Sequence, residues 1–339
     1  MLQKIAFAAA VAACVVTPAF AGPSGYHLVR TVSLPGDGFW DYLGFDNANR
    51  HLFVTHGTHV MVLDADTQAI AGDIPDTARV HGVAVADDLG RGFTSDGGDN
   101  TVTAFDLKTL KTIARYPTGT GPDSIAYEPV THRVFTFNGG SKDATALDGA
   151  TGAVVGTIPL GGRPETAVVD GLGNVFADIE STSEIVKIDA QTLKVAARWK
   201  LAPCESPSGL AMDTAHGILF AGCDNKMMAV IDASNGKVLA TPAIGDGVDA
   251  DRFDPGTGYA FASMGEGTLT VVHEGSPHKF SVVENVATQK GARTMEVDPK
   301  THTVFLVTAD RTPTPPTPDN PHPRPTITPG TFRLLVYAR

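Results

Sequence analysis

Helical periodicity is missing from this sequence. Beyond residue 21 no run of ten or more residues repeats its apolar side chains every 3.6 positions, which excludes tandem helical repeats. Basic clusters are missing too. The formal net charge is −11 with His neutral, and no group of Lys and Arg stands out along the chain. An acidic protein repels phosphate backbones over long range, so nucleic acid is not an expected partner. No Gly-x-Ser-x-Gly elbow, Walker loop or dinucleotide fingerprint is present. Asn138-Gly139-Gly140 reads as a turn and not a phosphate loop, because no helix follows it. The one long apolar run, Ile5 to Val16, is too short to span a bilayer. Aromatic residues are few, at 7%, while Gly (36) and Pro (23) are plentiful, a balance that suits many turns between short strands.

What fills the chain is a repeat. The stretch from Ser124 to Asp148 reads as strand, turn, strand, polar loop, strand. A buried-type Phe in its second strand recurs as Phe53, Phe93, Phe135, Phe176, Phe220, Phe261 and Phe305, at intervals of 40 to 44 residues. Each Phe follows an acidic residue by six or seven positions: Asp46, Asp87, Glu128, Asp170, Asp213, Asp254 and Asp298. Downstream comes an apolar residue and then Asp, as in Leu63-Asp64 and Phe105-Asp106; the sixth and seventh copies substitute Val272-His273 and Val336-Tyr337. Two or three strands cannot bury their faces alone, so seven strand-like copies imply the four-stranded blades of a seven-bladed β-propeller. The last copy has only three strands from the C-terminal side. The lone strand-like segment His27 to Leu34 is expected to supply the fourth and close the ring.

The repeat resembles the YVTN-repeat family of YncE-like seven-bladed propellers. The matching pieces are Leu52-Phe53-Val54-Thr55, Asn100-Thr101-Val102-Thr103-Ala104-Phe105-Asp106 and Gly121-Pro122-Asp123-Ser124-Ile125-Ala126. The resemblance covers nearly all of residues 22–339. It implies a single all-β propeller domain in an extracytoplasmic protein and does not imply one activity.

Residues 1–21 read as a secretory signal: Lys4, the apolar run, then Ala19-Phe20-Ala21 as an Ala-x-Ala cleavage site. A lipoprotein signal at Val11-Ala12-Ala13-Cys14 is the rival, but it leaves a very short apolar core. The expected location is periplasmic or secreted, and the expected state a monomer. Cleavage after Ala21 leaves Cys204 and Cys223, an even pair that an oxidising compartment is expected to join. The proline-dense segment Thr312 to Pro329 interrupts the last copy. It is expected to be polyproline II or disordered, either a tolerated surface insertion or a flap beside the active face.

The loops divide by face. His132, His216 and His302 fall in the turns between first and second strands and are discounted as ligands. On the other face, counting five residues back from each turn acid gives Asp41, Gly82, Asp123, Glu165, Ser208, Asp249 and Arg293, with His81 beside the Gly. Pseudo-symmetry should set these around the channel mouth. Four carboxylates in one ring repel one another, so either some hold a proton at neutral pH or a cation neutralises them. Carboxylates alone would suit Ca²⁺; recruitment of His56, His59 or His81 would favour a first-row transition metal.

Two functions fit. One is a propeller that binds a small ligand, a cation or a protein partner at the acidic mouth. The other is a metal-assisted, lactonase-like hydrolase on the same ring, with Asp123, Glu165, Asp249 or His81 activating water and Arg293 stabilising an oxyanion. Binding is preferred because no nucleophile–base pair is readable.

Overall fold

A computed structural model describes residues 23–275, 278–315 and 325–339. Segment 1–21, read above as a signal, lies outside them. The described residues form seven four-stranded antiparallel sheets. Blade one is Trp40–Asp46, His51–His56, His59–Asp64 and Ile70–Ile74; blades two to six repeat that order, starting at Val80, Pro122, Pro164, Pro207 and Val248. Each blade's first strand packs against the first strand of the next, and that of blade seven, Met295–Asp298, touches both blade six and blade one. The result is a closed β-propeller with almost no helix. Among the described residues no helix is long and apolar enough to cross a membrane.

The core lies between blades rather than within them. The seven repeated Phe residues are all buried, with at most 2% exposure, and sit in apolar clusters at the blade interfaces. The recurring acids serve the turns. Asp46 accepts the Asn49 N–H, Glu128 those of Val130 and Thr131, and Asp254 that of Gly256, so each carboxylate ties down the reversal after the first strand. Asp64, Asp106 and Asp148 do the same after the third strand, accepting from Thr67, Thr109 and Thr151. The turn histidines belong to this network: His302 bonds Asp254 at 2.8 Å, His132 lies 2.8 Å from Asp88, and His216 bonds Asp213.

Closure comes from the N-terminal strand. His27–Ser33 pairs antiparallel with Arg333–Ala338 and is the outer strand of blade seven. The strand itself is mostly exposed, and its anchors flank it. Tyr26, 1% exposed, meets Phe261 of blade six edge-on at 5.2 Å and donates to the His302 carbonyl at 2.8 Å. Leu34 is buried, and its N–H bonds the Phe332 carbonyl.

The proline-dense insertion, for which composition predicts polyproline II or disorder, is pinned at its base. Arg311 pairs with Ile327 and Thr312 with Thr326 in a two-residue ladder, because the insertion joins two neighbouring strands of blade seven, Thr303–Thr308 and Arg333–Ala338. Residues 316–324 lie outside the described set. In blade five a disulfide joins Cys204 to Cys223, closing a separation of 19 residues. Cross-linking a loop of that size stabilises by about 3 kcal/mol. Cys204→Ser with Cys223→Ser should therefore lower the denaturant midpoint by a corresponding amount; an unchanged midpoint would show that the bond adds nothing.

Candidate functional site

The first strand of blades one to six slips register near its start, between Trp40 and Leu43 in blade one and between Val80 and Gly82 in blade two, for example. A bulge bends the strand and re-aims the side chain it carries. The residues at the bulge are those counted from the turn acids, with one correction. Val80 pairs with Asp96, the last residue of its neighbouring strand, just as Trp40 pairs with His56. The blade-two equivalent of Asp41 is therefore His81 and not Gly82. The count fails there because the turn Asp87–Leu89 is a short 3₁₀ segment that follows the strand, placing its acid one residue late.

The bulges are held by a repeated polar contact. Thr55 Oγ1 accepts the Asp41 N–H and donates to the Tyr42 carbonyl. Ser95 Oγ accepts from Gly82 at 2.9 Å and donates to the Asp123 carbonyl in the next blade. Asp178 accepts from Thr166 at 2.7 Å. Blade five has Gly222 at this position, and Asp251 of blade six reaches across to accept its N–H. A Cβ on Gly222 would lie 2.8 Å from that carboxylate and one on Gly209 2.7 Å from the Asp251 nitrogen, so both positions need glycine.

Three of the expected residues converge. Asp41 Oδ2 lies 2.6 Å from His81 Nδ1, and Asp123 Oδ1 lies 3.3 Å from it. One donor atom from each of the three falls within 4.8 Å of the others. The remaining ring acids face cations: Asp249 Oδ2 lies 3.1 Å from Arg293 Nε, and Glu165 Oε2 lies 3.0 Å from Arg163, which also reaches Glu180 at 2.9 Å. Dispersal of the acids in water is not what the geometry shows. The side chains of Asp41, Asp123, Glu165 and Asp249 are only 11, 16, 12 and 12% exposed. Asp123 Oδ1, Glu165 Oε2 and Asp249 Oδ2 are buried without an aligned hydrogen bond, although each has a charged neighbour.

Electrostatics follow from that crowding. Burial pushes Asp123, Glu165 and Asp249 upward, and repulsion from neighbouring carboxylates adds to it. At His81 burial works against the charge, but the hydrogen bond to Asp41 and the Asp123 charge outweigh it and raise the pKa. An imidazolium there would partly neutralise the two flanking carboxylates, as a metal ion would more fully.

His56 and His59 do not join. His56 is 4% exposed, stacks on Phe332 at 4.6 Å and meets His59 at 5.0 Å, and His59 lies 3.7 Å from Asp73 at the rim. The two residues pair across the Gly57-Thr58 hairpin, which turns them towards blade seven and the outer edge.

Tyr42 is the residue that sequence reading missed. Its hydroxyl crosses from blade one to Thr166 Oγ1 of blade four at 3.0 Å, and Thr166 bonds the Ser208 carbonyl at 2.7 Å. Burial and then the charges of Glu165, Asp249, Asp123 and Asp41 hold the phenol far above its usual range. A cavity of about 240 Å³ lies along the channel past it, lined by Val83, Ile125, Leu210 and Arg252 among others. The signal was available: the residues following the ring position are Gly82, Ser124, Thr166, Gly209, Ala250 and Thr294, all small, except Tyr42.

No family model matches the sequence, and no curated protein matches it either. Solved structures do. A chain of Kuenenia stuttgartiensis hydrazine synthase is similar with a TM-score of 0.70 and 14% identity, over 88% of this chain and 96% of that one. U3-55K is similar with a TM-score of 0.75 and 8% identity, over 93% and 99%. At such identities the likeness concerns the fold alone: the propeller is a scaffold that can present a ligand or a partner site at its mouth.

Proposed function

We propose that this chain is an extracytoplasmic, YncE-like binding propeller whose mouth holds a divalent cation between Asp41, His81 and Asp123. The observation that carries the reading is the convergence of one imidazole nitrogen and two carboxylates from three successive blades within 4.8 Å. That donor set, with a nitrogen ligand, suits a first-row transition ion better than Ca²⁺. Glu165 and Asp249 complete the ring beside Arg163 and Arg293, and the Tyr42 hydroxyl reaches Thr166 of blade four. The disulfide suits an oxidising compartment.

Binding fits better than hydrolysis. Ser95 donates to the Asp123 carbonyl and Thr166 to the Ser208 carbonyl, which commits both hydroxyls. Neither is paired with a base as a nucleophile, so the lactonase-like alternative rests on water activated by a ring carboxylate or His81. A lactone panel assayed with metal-loaded protein separates the two, since turnover would favour the enzyme.

The test is thermal. A ligand that binds only the folded state at a hundredfold excess over its Kd stabilises by about 2.7 kcal/mol. Zn²⁺ or Mn²⁺ should raise the Tm of chelator-treated protein, and Asp123→Asn with Glu165→Gln should remove the response while leaving the metal-free fold intact. A wild-type melt indifferent to every divalent ion tried would defeat the proposal.

A further inference from the structure

Beside the acidic mouth lies a pocket of the opposite sign. It has a volume of about 460 Å³, and its walls include Lys290, Arg293, Arg311, Phe39, Pro325 and Ile327, with no Asp or Glu among the described residues of the lining. Three cations around one pocket are unexpected in a chain of net charge −11. They come from two places in sequence, the loop entering blade seven and the base of the proline-dense insertion, so no local run of Lys and Arg announces them.

We infer that this pocket binds a small organic anion, a carboxylate carried on a flat apolar body. The size is that of a small-molecule site. The apolar share of the wall comes from Phe39, Pro325 and Ile327. The charged share is suited to a carboxylate. Arg293 spends Nε on Asp249, and its guanidinium has further N–H groups to offer. The Lys290 residue is exposed at the pocket wall. Gly291, at φ +86°, lets the backbone pass between them: a Cβ there would meet Arg311 Nε and Thr308 Oγ1 at 3.3 Å.

The pocket also touches the mouth. Phe39 lines it and stands edge-on to the His81 ring at 5.5 Å, and Arg293 belongs to both. An anion seated on Lys290 and Arg293 therefore lies next to the acidic ring without entering it. Long-range repulsion from the acids selects against multiply charged anions, while Lys290 and Arg293 retain a single carboxylate. This inference stands on the pocket's own walls and does not need the cation site.

The experiment is calorimetric titration with 3-phenylpropionate and with its neutral amide, at low and at high salt. One site per chain is expected for the carboxylate, weakened by salt, and about tenfold weaker for the amide. Lys290→Ala should weaken the carboxylate by about tenfold, and Lys290→Ala with Arg311→Ala further, with circular dichroism confirming that each variant is folded. Asp123→Asn with Glu165→Gln should not weaken this titration, because it removes negative charge beside the pocket, so a failed cation site and a failed anion pocket give different results. The inference is overturned if the carboxylate does not bind at millimolar concentration, if the amide binds as well, or if Lys290→Ala binds like wild type.

Discussion

Removing residues 23–34 is expected to lower the Tm by more than about 10 °C or to drive the protein into aggregates. The deletion takes away the outer strand of blade seven, which pairs from His27 with Ala338 to Ser33 with Arg333. It also removes two buried anchors, Tyr26 at 1% and Leu34 at 5% exposure. Each is worth about 2 kcal/mol of apolar burial, before the lost ladder and the Tyr26 hydrogen bond to blade seven are counted. The strand left at the edge, Arg333–Ala338, carries the buried run Leu334 to Tyr337 and would become a template for pairing with other chains. Tyr26→Ala alone should produce a smaller shift of the same sign. A truncated protein that melts with the full-length one would show that the ring closes without this strand.

The second large effect is on pH. Asp251 is fully buried, accepts one N–H from Gly222, and has its other oxygen unpartnered among the described residues. Burial pushes its pKa up to about 8. Burial likewise raises Asp96 to about 6, against hydroxyls donated by Thr103 and Thr94, and pushes Asp178 well above its ordinary value. The unfolded chain releases these protons near pH 4, whereas the folded chain keeps them. The folded state therefore binds more protons, and stability falls as pH rises from about 4 towards 8. Opposing groups act at the acid end. Burial lowers His56 to about 4, so its contribution is lost as pH falls from 6.5 through 4. Asp298 is held near 2, because hydrogen bonds from Arg50 and Thr301 outweigh its burial, and its contribution is lost only below the ordinary carboxylate range. The metal-free protein should thus melt highest near about pH 4, and its Tm should drop by on the order of 10 °C by pH 8. Asp251→Asn, which keeps an acceptor for Gly222, should flatten that slope and match wild type near about pH 4. A Tm that rises between pH 5 and pH 8 would show that Asp251 and Asp178 are ionised at little cost.

The blades were legible in the sequence because their rules are local. Phe135, Glu128 and Leu147-Asp148 each do a job within one hairpin or one interface, and those jobs recur every 40 to 44 residues. The ring was legible to within one residue for the same reason, and it slipped at His81, where a 3₁₀ turn displaced the acid used as the ruler. What could not be read depends on contacts across the channel. Tyr42 meets Thr166 over a separation of 124 residues, and nothing near Tyr42 marks the partner. His56 and His59 share the mouth's polar composition, yet the hairpin register sends them towards Phe332 and Asp73. The cationic pocket was hidden likewise, because Lys290 and Arg311 meet only through the folded edge of blade seven.

The cation site is tested most directly by titrating chelator-treated protein with Co²⁺ and following the visible ligand-field absorption of the wild type and of His81→Ala. One Co²⁺ per chain is expected, with a spectrum showing nitrogen ligation, and in His81→Ala a loss of that spectrum with affinity weakened by about tenfold or more. No saturable Co²⁺ spectrum in the wild type, or the same spectrum and affinity in His81→Ala, would contradict a metal held by Asp41, His81 and Asp123.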